Sequence, residues 1–540
     1  MEHEEQIQSE SDLVAARRTK LAWMREELGI EPFGSRVDGI ISLSRARATF
    51  DEAADDAHAE SVAARKEDDS VELVDDRPRV LVAGRIVQHR DVGKLVFMVV
   101  RDDTDDLQLS ISKASLSPES FKLAKKVDYG DIVVAEGRMG RTKRGEICVW
   151  VDRFEIHVKS LAPPPGKHHG LSDAESRYRR RYVDMYANPE TIKVFKARSR
   201  IVSRIRTFMD GRDFLEVETP MMQPIAGGAA ARPFCTHLNA LDIPLFMRIA
   251  PELYLKRLLV GGLPRVYEIN RNFRNEGIDR SHNPEFTSME VYQAFGNYDT
   301  IMELTESLIH ELARARRADL LAEGAEGPFG TEEAPVLPFG DLSIDYARPF
   351  HRVTYHELFE QALGFPASDL EKVRAKALEM GCENVDSLDE SYLVNEVFEE
   401  FAETTIDPER PTFVLDWPSV ISPLTRPHAD RPELAERVDI FIGGMEIGPA
   451  YTELNDPDIQ LSKFTEQIGG LDDEESTFRS MDDDFIDALR VGMPPAGGLG
   501  LGIDRIVILL TNSPSIRDVI FFPLMRPLDT ESSSSTEGEE

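Results

Sequence analysis

Five runs of alternating apolar and polar residues between positions 79 and 158 constrain the fold most strongly. Such alternation is typical of strands with one buried face. Three runs, a short helix and two further runs give the order of a five-stranded OB barrel, a fold that often binds oligonucleotides. An unrelated small β-domain would show the same order. The strands are predicted over Arg79–Val87, Lys94–Arg101, Leu107–Ser112, Asp131–Arg138 and Glu146–Val158, with the helix over Ser117–Val127.

The chain of 540 residues is too long for one ordinary core, so we expect at least two domains. A proline-rich break at residues 163–166 is typical of a stiff linker and marks the predicted boundary. We expect a charged extension over 1–77 that is partly helical or disordered, the barrel over 78–162, a linker over 163–188, a domain of mixed helices and strands over 189–528, and a disordered acidic tail over 529–540.

The composition indicates the compartment in which the chain works. No apolar run reaches the roughly 18 residues that span a membrane, and the acidic N-terminus does not resemble a secretory signal. Cys148, Cys235 and Cys382 are far apart and form no CxxC pair, which indicates neither a zinc site nor a disulfide framework. We therefore expect a cytoplasmic protein that does not associate with membranes.

The formal net charge of −35 argues against indiscriminate binding to nucleic acid, because phosphate binding needs local positive charge. The balance reverses between Lys167 and Arg212, where basic residues predominate. This stretch could contact RNA, or it could be the solvated face of helices, and the sequence leaves both interpretations open.

The segment Val266–Phe295 reads as two strands joined by a polar loop. In that loop, Arg274 could hold a phosphate or a carboxylate with its planar guanidinium. Glu290 and Tyr292 are two residues apart on the second strand, so they share one face of it. The alternative is a surface hairpin without a chemical role.

Two further segments carry residue types suited to a phosphate substrate. In Asp439–Asn455, two carboxylates flank a Gly-Gly pair and could hold Mg²⁺ together with substrate phosphates, although ordinary surface polarity would look the same. In Gly497–Leu510, alternating glycines leave one strand face flat enough for a base. The G-x-G-x-G spacing differs from that of a dinucleotide-binding loop, and the chain has no P-loop.

These segments resemble the three signature motifs of class II aminoacyl-tRNA synthetases, and the closest match is the lysyl family. The resemblance extends from about Arg79 to Pro527. Phe214–Pro220 resembles motif 1, Asn272–Gly277 motif 2 and Gly498–Arg505 motif 3, and further family-like strings lie at Gly227–Pro233, Ile249–Lys256, His282–Phe286 and Thr452–Asn455.

The resemblance implies an α+β protein with an N-terminal OB-fold barrel and a catalytic domain built on an antiparallel six-stranded sheet flanked by helices. It implies a homodimer with motif 1 at the subunit interface. It also implies an enzyme of protein biosynthesis that activates L-lysine with ATP to lysyl-adenylate, releasing pyrophosphate, and then transfers the lysine to tRNA(Lys), releasing AMP.

The same resemblance implies the residues of the ATP site. Arg274 would hold the α-phosphate and the lysine carboxylate, and Arg505 would contact the γ-phosphate, which makes these two the catalytic residues. Glu276 would read the adenine amino group, Phe286 would stack on the ring, and His282 belongs to the same site.

Magnesium, as more than one ion, would be held by Asp439 and Glu446, although Asp439 is shorter than the glutamate expected there. Glu290 and Glu453 suit a cationic substrate and would repel an acidic one, because a buried ammonium group needs carboxylate partners. The implied lysine-binding residues are Gly228, Glu252, Arg274, Glu290, Tyr292, Tyr451 and Glu453.

One position departs from the lysyl pattern. Pro449 stands where lysyl enzymes usually have an asparagine that we expect to hold the substrate carboxylate. Proline offers neither a side-chain amide nor a backbone donor, so lysine would bind more weakly or the preferred amino acid would differ subtly. In the barrel, Phe97 could stack an unpaired base and polar side chains could read base edges. The implied anticodon-binding residues are Arg90, Phe97, Gln108 and Glu146.

Two rival functions differ in what they would require. A synthetase-like enzyme that attaches a lysine-type residue to a protein would generally lack the barrel, which this chain keeps. A non-catalytic RNA-binding or amino-acid-sensing relative should have lost Arg274 or Arg505, and this chain has both.

Overall fold

The computed structural model describes residues 2–163, 171, 173–229, 231–382, 385, 388–469 and 481–527. The chain forms two compact units that divide after Ile192. Residues 164–166 of the predicted break and the whole of the predicted acidic tail lie outside the described residues.

The N-terminal unit contains a closed five-stranded barrel. Its strands neighbour one another in the order β1-β2-β3-β5-β4, with only β3 and β5 parallel among the pairs, so the predicted OB barrel is confirmed. The elements are α1 Glu2–Glu26, α2 Leu43–Ala48, α3 Glu52–Glu67, β1 Arg79–Asp91, β2 Leu95–Arg101, β3 Asp106–Ser112, α4 Pro118–Lys126, β4 Ile132–Arg141, β5 Ile147–Val158, α5 Ala174–Arg179 and α6 Arg181–Ala187.

The barrel core follows from strand alternation. Every second residue points inward, so that Val82, Met98 and Leu109 are buried in the interior. Helices α1 and α2 add Met24 and Leu43 to the same core. The N-terminal helices are therefore packed on the barrel.

The arginines between 167 and 212 are largely engaged by carboxylates of their own unit. Asp184 accepts from Arg177 at 2.8 Å and from the buried Arg181 at 2.7 Å. In the second unit, Arg204 donates to Asp319 at 2.7 Å. These ion pairs hold helices in place, and the RNA contact and the solvated face both stay predictions.

The second unit is built from helices and short strands. Helix α7 Pro189–Asp210 contains the division between the units. The other helices are α8 Glu252–Val260, α9 Tyr298–Ala322, α10 Tyr355–Leu363, α11 Leu370–Glu379, α12 Glu390–Val397, α13 Pro457–Gly469, α14 Asp483–Gly492, α15 Ile503–Leu510 and α16 Ile516–Val519, with short turns of π-helix at Phe398–Ala402 and of 3-10 helix at Glu403–Thr405 and Ser419–Ile421. The strands are β6 Leu215–Glu216, β7 Met222–Gln223, β8 Cys235–Leu238, β9 Ile243–Met247, β10 Arg265–Phe273, β11 Glu285–Ala294, β12 Val336–Phe339, β13 Leu342–Asp345, β14 His351–Thr354, β15 Thr412–Pro418, β16 Leu434–Ile442, β17 Met445–Thr452 and β18 Ala496–Gly502.

The main sheet has eight strands in the order β14-β15-β16-β17-β18-β11-β10-β6. The six strands from β15 to β10 are antiparallel, which confirms the expected catalytic sheet. The short strands β14 and β6 extend it with a parallel pairing at each edge. Strands β7, β9 and β8 form a separate small sheet, and β12 pairs with β13.

One face of the main sheet is covered by helices. Ile205 of α7, Leu308 of α9 and Val507 of α15 share a buried core with Met289 and Val291 of β11. Because side chains alternate along a strand, the residues between and beside these two point to the opposite face. That opposite face carries the candidate site.

A two-residue turn joins β16 to β17. Gly443 and Gly444 both have positive φ, at 62° and 74°, a conformation that favours glycine and matches the twist of a tight hairpin. The turn places Asp439 opposite Pro449 and Phe441 opposite Glu446. The tight turn expected from the Gly-Gly pair is confirmed.

Candidate active site

A cavity of about 400 Å³ lies over the free face of the main sheet. Strands β10, β11, β17 and β18 and the loop between β10 and β11 form its walls. It brings together most of the side chains singled out in the sequence, namely Gly228, Glu252, Arg274, Glu276, His282, Phe286, Glu290, Tyr292, Glu446, Tyr451 and Arg505, and Pro449 also lines it.

Two of the residues predicted for the catalytic site do not line this cavity. Glu453 and Asp439 are each only 1% exposed and lie behind its walls. Their contacts, described below, are with basic side chains of the protein itself.

The cationic end of the cavity is centred on Arg274, which directly follows β10. Its backbone N–H donates to the Pro284 carbonyl at 2.9 Å, which closes the loop between the two strands. Its guanidinium lies 5.1 Å from the centre of the Phe286 ring. The buried Nε of Arg274 has no hydrogen-bond partner among the described residues. A buried cationic donor without a partner is suited to an anionic ligand.

A second arginine reaches the cavity from the start of α15. Asp504 accepts from the backbone of Thr287 at 2.7 Å and pairs with Arg198 at 2.6 Å, which fixes this helix end against β11. The next residue is Arg505, whose guanidinium donates to the backbone carbonyl of Glu446. The helix end therefore holds Arg505 at the cavity.

His282 lies between Arg505 and Asp279. Its Nδ1 is 2.7 Å from Asp279 Oδ2, and its Nε2 is 3.3 Å from Arg505 Nη2. Although partial burial opposes it, hydrogen bonds from His282 and the backbone lower the pKa of Asp279. The three groups form a charged cluster at one rim of the cavity.

The opposite end of the cavity is acidic. As their two-residue spacing predicted, Glu290 and Tyr292 share a face, and the Tyr292 hydroxyl donates to Glu290 Oε2 at 3.1 Å. Burial, assisted by the negative charge of Glu252, raises the pKa of Glu290 to about 8. A buried carboxylate with so little compensation is suited to a cationic ligand.

Glycines of β18 form the floor beneath these residues. Gly500 lies opposite Glu290, and a Cβ there would meet nothing within 4 Å, so this glycine leaves the cavity open. Gly498 lies opposite Tyr292, and a Cβ there would be 1.9 Å from Glu453 Oε1. The glycine at 498 is therefore required by the close approach of the glutamate.

Lys256 was not assigned a role in the sequence analysis, yet it contacts two of the predicted residues. It lies on α8 with 0% exposure, and its Nζ is 2.7 Å from Glu252 Oε1 and 2.5 Å from Glu453 Oε2. The i,i+4 spacing of Glu252 and Lys256 in a helical segment could have indicated the first contact. Nothing in the local sequence indicates the second.

Arg437 was also missed. Its Nε and Nη2 donate to the two oxygens of Asp439 at 2.8 and 2.6 Å, and the two-residue spacing on β16 was the available signal. Burial and neighbouring carboxylates, Glu399 first, raise the pKa of the nearby Glu403 to about 7. Glu446, in contrast, is exposed to the cavity. Within the described part of the chain, no three His, Cys, Asp or Glu side chains form a ready metal cluster.

Comparison with known proteins identifies the family. A family model described as tRNA synthetases class II (D, K and N) matches residues 173–526, and one described as an OB-fold nucleic acid binding domain matches residues 80–163. The lysine–tRNA ligase of Carboxydothermus hydrogenoformans is 44% identical over 532 residues, which cover 98% of this chain and 100% of that protein. The lysine–tRNA ligase of Pelotomaculum thermopropionicum is 46% identical over 522 residues, 96% of this chain and 95% of the relative. The chain belongs to the lysine–tRNA ligase family.

The barrel residues expected from this family lie on neighbouring strands of the first unit. Arg90 on β1 and Phe97 on β2 are directly opposite each other. Gln108 on β3 lies opposite Val99 and donates to Ser110, the residue opposite Phe97. These three therefore share one region of the outer surface, whereas Glu146 lies in the turn just before β5 and is exposed.

Among the residues that the structure describes, no helix is long and apolar enough to cross a bilayer.

Proposed function

We propose that this chain activates L-lysine with ATP and transfers the lysine to tRNA(Lys). The observation that carries the proposal is the polarity of one cavity of about 400 Å³, which is acidic at the Glu290 end and cationic at the Arg274 end. Lysine has the complementary polarity, with ammonium groups at both ends of its carbon chain and a carboxylate at one. Burial of these charges requires such partners.

The first step is an in-line attack of a lysine carboxylate oxygen on the α-phosphorus of ATP. A new oxygen–phosphorus bond forms, and the bond to the β-phosphate oxygen breaks to release pyrophosphate. Arg274 neutralises charge on the α-phosphate and the carboxylate, and Arg505 does so on the γ-phosphate. Because no side-chain nucleophile is required, catalysis consists of positioning and charge stabilisation.

In the second step, the 3′-terminal hydroxyl oxygen of tRNA attacks the carbonyl carbon of lysyl-adenylate. An ester bond forms, and AMP leaves with the electrons of the broken acyl–phosphate bond. The remaining ATP-site residues hold the adenosine during both steps. Phe286 stacks on adenine, Glu276 accepts from its amino group, and His282 supports Arg505 at the phosphate end.

At the amino-acid end, Glu252 and the carbonyl of Gly228 receive the α-ammonium group. Glu290 and Tyr292 receive the ε-ammonium group, with Glu453 behind them and Tyr451 alongside the carbon chain. The approach of Gly228 to Glu252 supports this arrangement, because a Cβ at Gly228 would lie 3.1 Å from the Glu252 Cβ.

Magnesium would join this site through Glu446, whose exposed carboxylate lines the cavity near Arg505. Bound there with the phosphates of ATP, it would neutralise their charge. Asp439 fits the metal less well, since both of its oxygens are bonded to Arg437 and it is buried. We therefore assign Glu446 as the residue that would hold Mg²⁺ and Asp439 as the partner of Arg437. The ATP phosphates would supply the ligands of the predicted second ion.

The barrel would bind the anticodon of tRNA(Lys) through Arg90, Phe97, Gln108 and Glu146. Phe97 provides the stacking surface, and the other three read base edges. In this proposal the two functions follow the domain limits predicted from the sequence. Residues 78–162 bind the anticodon, and residues 189–528 carry out catalysis.

A homodimer formed through motif 1 completes the proposal. The exposed apolar side chains Leu215, Met221 and Met222 cluster along this segment, and β6 leaves one edge unpaired within the described chain. An exposed strand edge with apolar side chains is suited to pairing with a second copy. The three free cysteines support a reducing compartment, the cytoplasm.

The test is the charging of purified tRNA with labelled lysine. We expect ATP-dependent lysine ester on tRNA(Lys), and none on a tRNA with a different anticodon. Labelled lysine appearing on protein and not on tRNA would support the protein-modifying rival, and absence of ATP-dependent lysine transfer would contradict the proposal.

A further inference from the structure

The acidic end of the cavity contains a buried lysine of the protein itself. The Nζ of Lys256 lies 2.7 Å from Glu252 Oε1 and 2.5 Å from Glu453 Oε2, and none of the three residues is more than 9% exposed. Glu252 is one turn away on the same helix, whereas Glu453 follows β17, far along the chain. Lys256 therefore connects the two carboxylates that the proposed function assigns to the two ammonium groups of the substrate.

Lys256 changes the net charge of the acidic end of the cavity. In their ionised forms, Glu252, Glu290 and Glu453 contribute three negative charges, and Lys256 contributes one positive charge, so the ionised acidic end has two net negative charges. Bound lysine places its α-ammonium group at Glu252 and its ε-ammonium group at Glu290, while its carboxylate faces Arg274. The two sets of charge balance only because Lys256 is present, and uncompensated charge in a buried site is strongly unfavourable.

We propose that Lys256 is a positioning residue that sets the specificity of the site for an amino acid with two ammonium groups. It does so by fixing the net charge of the acidic end and by holding one oxygen of Glu453 so that the other stays available. This inference rests on the proposed function, and it adds a residue to the machinery of amino-acid selection.

The geometry of Glu453 supports the second part of this role. Neither of its oxygens has a hydrogen bond of ordinary geometry among the described residues, and Oε2 forms an ion pair with Lys256 at 2.5 Å, which leaves Oε1 as the free oxygen. That free oxygen is next to the Tyr292 ring, since a Cβ at Gly498 would lie 1.9 Å from Oε1 and 2.7 Å from Tyr292 Cε1. Lys256 thus keeps the free oxygen beside the wall that carries Glu290.

Burial acts against the ionised form of Glu453. It raises the pKa of this carboxyl to about 7, Lys256 opposes the rise, and Glu252 adds to it. Although burial alone would lower it, the two carboxylates raise the pKa of Lys256 above its ordinary value. Lys256 therefore favours the ionised form of Glu453, which is the form that attracts an ammonium group.

The test uses the full-length protein and lysine-dependent ATP–pyrophosphate exchange, with KM measured separately for lysine and for ATP. Lys256→Met removes the charge at similar length and is expected to raise the KM for lysine on the order of a hundredfold, because it leaves a buried charge unpaired. The KM for ATP should stay unchanged. Lys159→Met is the matched control, since Lys159 is also fully buried between two carboxylates but lies in the barrel unit. It should leave both KM values unchanged.

A double variant that combines Lys256→Met with Glu453→Gln distinguishes an effect of net charge from a purely structural role of Lys256. Glu453→Gln alone leaves the acidic end with one net negative charge, and Lys256→Met alone leaves three. The double variant has two again, so it should bind lysine better than either single variant. It also removes both charges of the Lys256–Glu453 ion pair, so it should fold even if Lys256→Met does not. Its KM for lysine is then compared with that of Glu453→Gln. Additive losses, or a double variant no better than Glu453→Gln, would overturn the inference while lysine activation by the parent leaves the proposed function standing.

Discussion

Two buried lysines, one in each unit, are held by pairs of carboxylates but differ in what surrounds them. Lys159 donates to Asp128 at 2.8 Å and to Asp131 at 2.7 Å, and Lys20 takes the other Asp128 oxygen at 2.5 Å. Two positive charges therefore face two negative ones, and every carboxylate oxygen has a partner. This cluster needs nothing further, which is typical of a structural network.

Lys256, in contrast, lies in a cluster in which the negative charges outnumber the positive ones. Its partners Glu252 and Glu453 belong to a group of three carboxylates with Glu290, and neither oxygen of Glu453 has a hydrogen bond of ordinary geometry among the described residues. The same local motif is thus balanced in the barrel and incomplete in the cavity. We infer from this difference that a cationic ligand completes the unbalanced cluster, whereas the balanced one serves stability.

The largest expected effect is a loss of stability on substitution of Lys159. Lys159→Met leaves the buried carboxylate of Asp131 without its cation, so the free energy of unfolding of the barrel unit should fall by about 3–5 kcal/mol. Chemical denaturation followed by circular dichroism measures this change. Lysine-dependent pyrophosphate exchange should remain at the parent rate below the unfolding transition, and a loss of exchange without a loss of stability would break the comparison.

Arg274→Ala tests the same distinction at the cationic end. Its buried Nε has no partner among the described residues, so Arg274 should serve a ligand more than the fold. Removal of a group that stabilises charge in the transition state should lower pyrophosphate exchange by roughly a hundredfold to a thousandfold. The melting temperature should stay close to that of the parent, and near-normal exchange would show that the phosphate site is assigned wrongly.

The pH dependence of lysine binding tests the role of Glu290 at the acidic end of the cavity. The pKa of Glu290 is about 8 in the free protein, so this carboxyl is mostly protonated at pH 7 and must lose its proton to meet an ammonium group. Its ionised fraction grows as pH rises, so lysine affinity should increase by about tenfold per pH unit between pH 6 and 8 and then level off.

Calorimetry in two buffers of different ionisation enthalpy measures the proton released on lysine binding. Glu252, Tyr292 and Arg274 line the same cavity, and Glu453 lies behind its wall. All four are unchanged in Glu290→Gln, which should lose the proton release that Glu290 contributes. Affinity that is independent of pH over this range would contradict the assignment of Glu290.

The smallest effect concerns the barrel surface. Phe97→Ala should weaken tRNA charging by about 1–3 kcal/mol if one stacked base is lost. Lysine activation without tRNA should be unaffected, because Phe97 belongs to the unit that does not contain the cavity. Lys113→Ala, on the loop after β3, provides a control for simple loss of side-chain volume. Equal damage to activation and charging would show that the two functions are not divided between the units.

The sequence predicted what depends on local periodicity. The five barrel strands, the hairpin at the Gly-Gly pair and the shared face of Glu290 and Tyr292 all follow from alternation or from turn chemistry, and the structure has them. The edge strands β6 and β14 were missed because two to four residues carry too little alternation, and their parallel partners lie far along the chain.

Long-range contacts and the burial of charged side chains could not be predicted from local sequence patterns. The position of Glu453 behind the cavity wall depends on Lys256, which comes from a helix more than a third of the chain earlier in sequence. The capture of Asp439 by Arg437 depends on burial that the strand pattern does not reveal. Both cases concern charged residues, whose roles depend on which neighbours neutralise them.

The most direct test of the central claim is ATP–pyrophosphate exchange measured with each of the twenty amino acids in turn. A cavity with two net negative charges at one end and Arg274 at the other should support exchange with lysine far above exchange with any other amino acid. Pro449, which replaces the asparagine usual in lysyl enzymes, makes the comparison informative, because a weaker hold on the carboxylate places more of the selection on the acidic end. Exchange driven as well by an amino acid without a side-chain ammonium group would contradict the account.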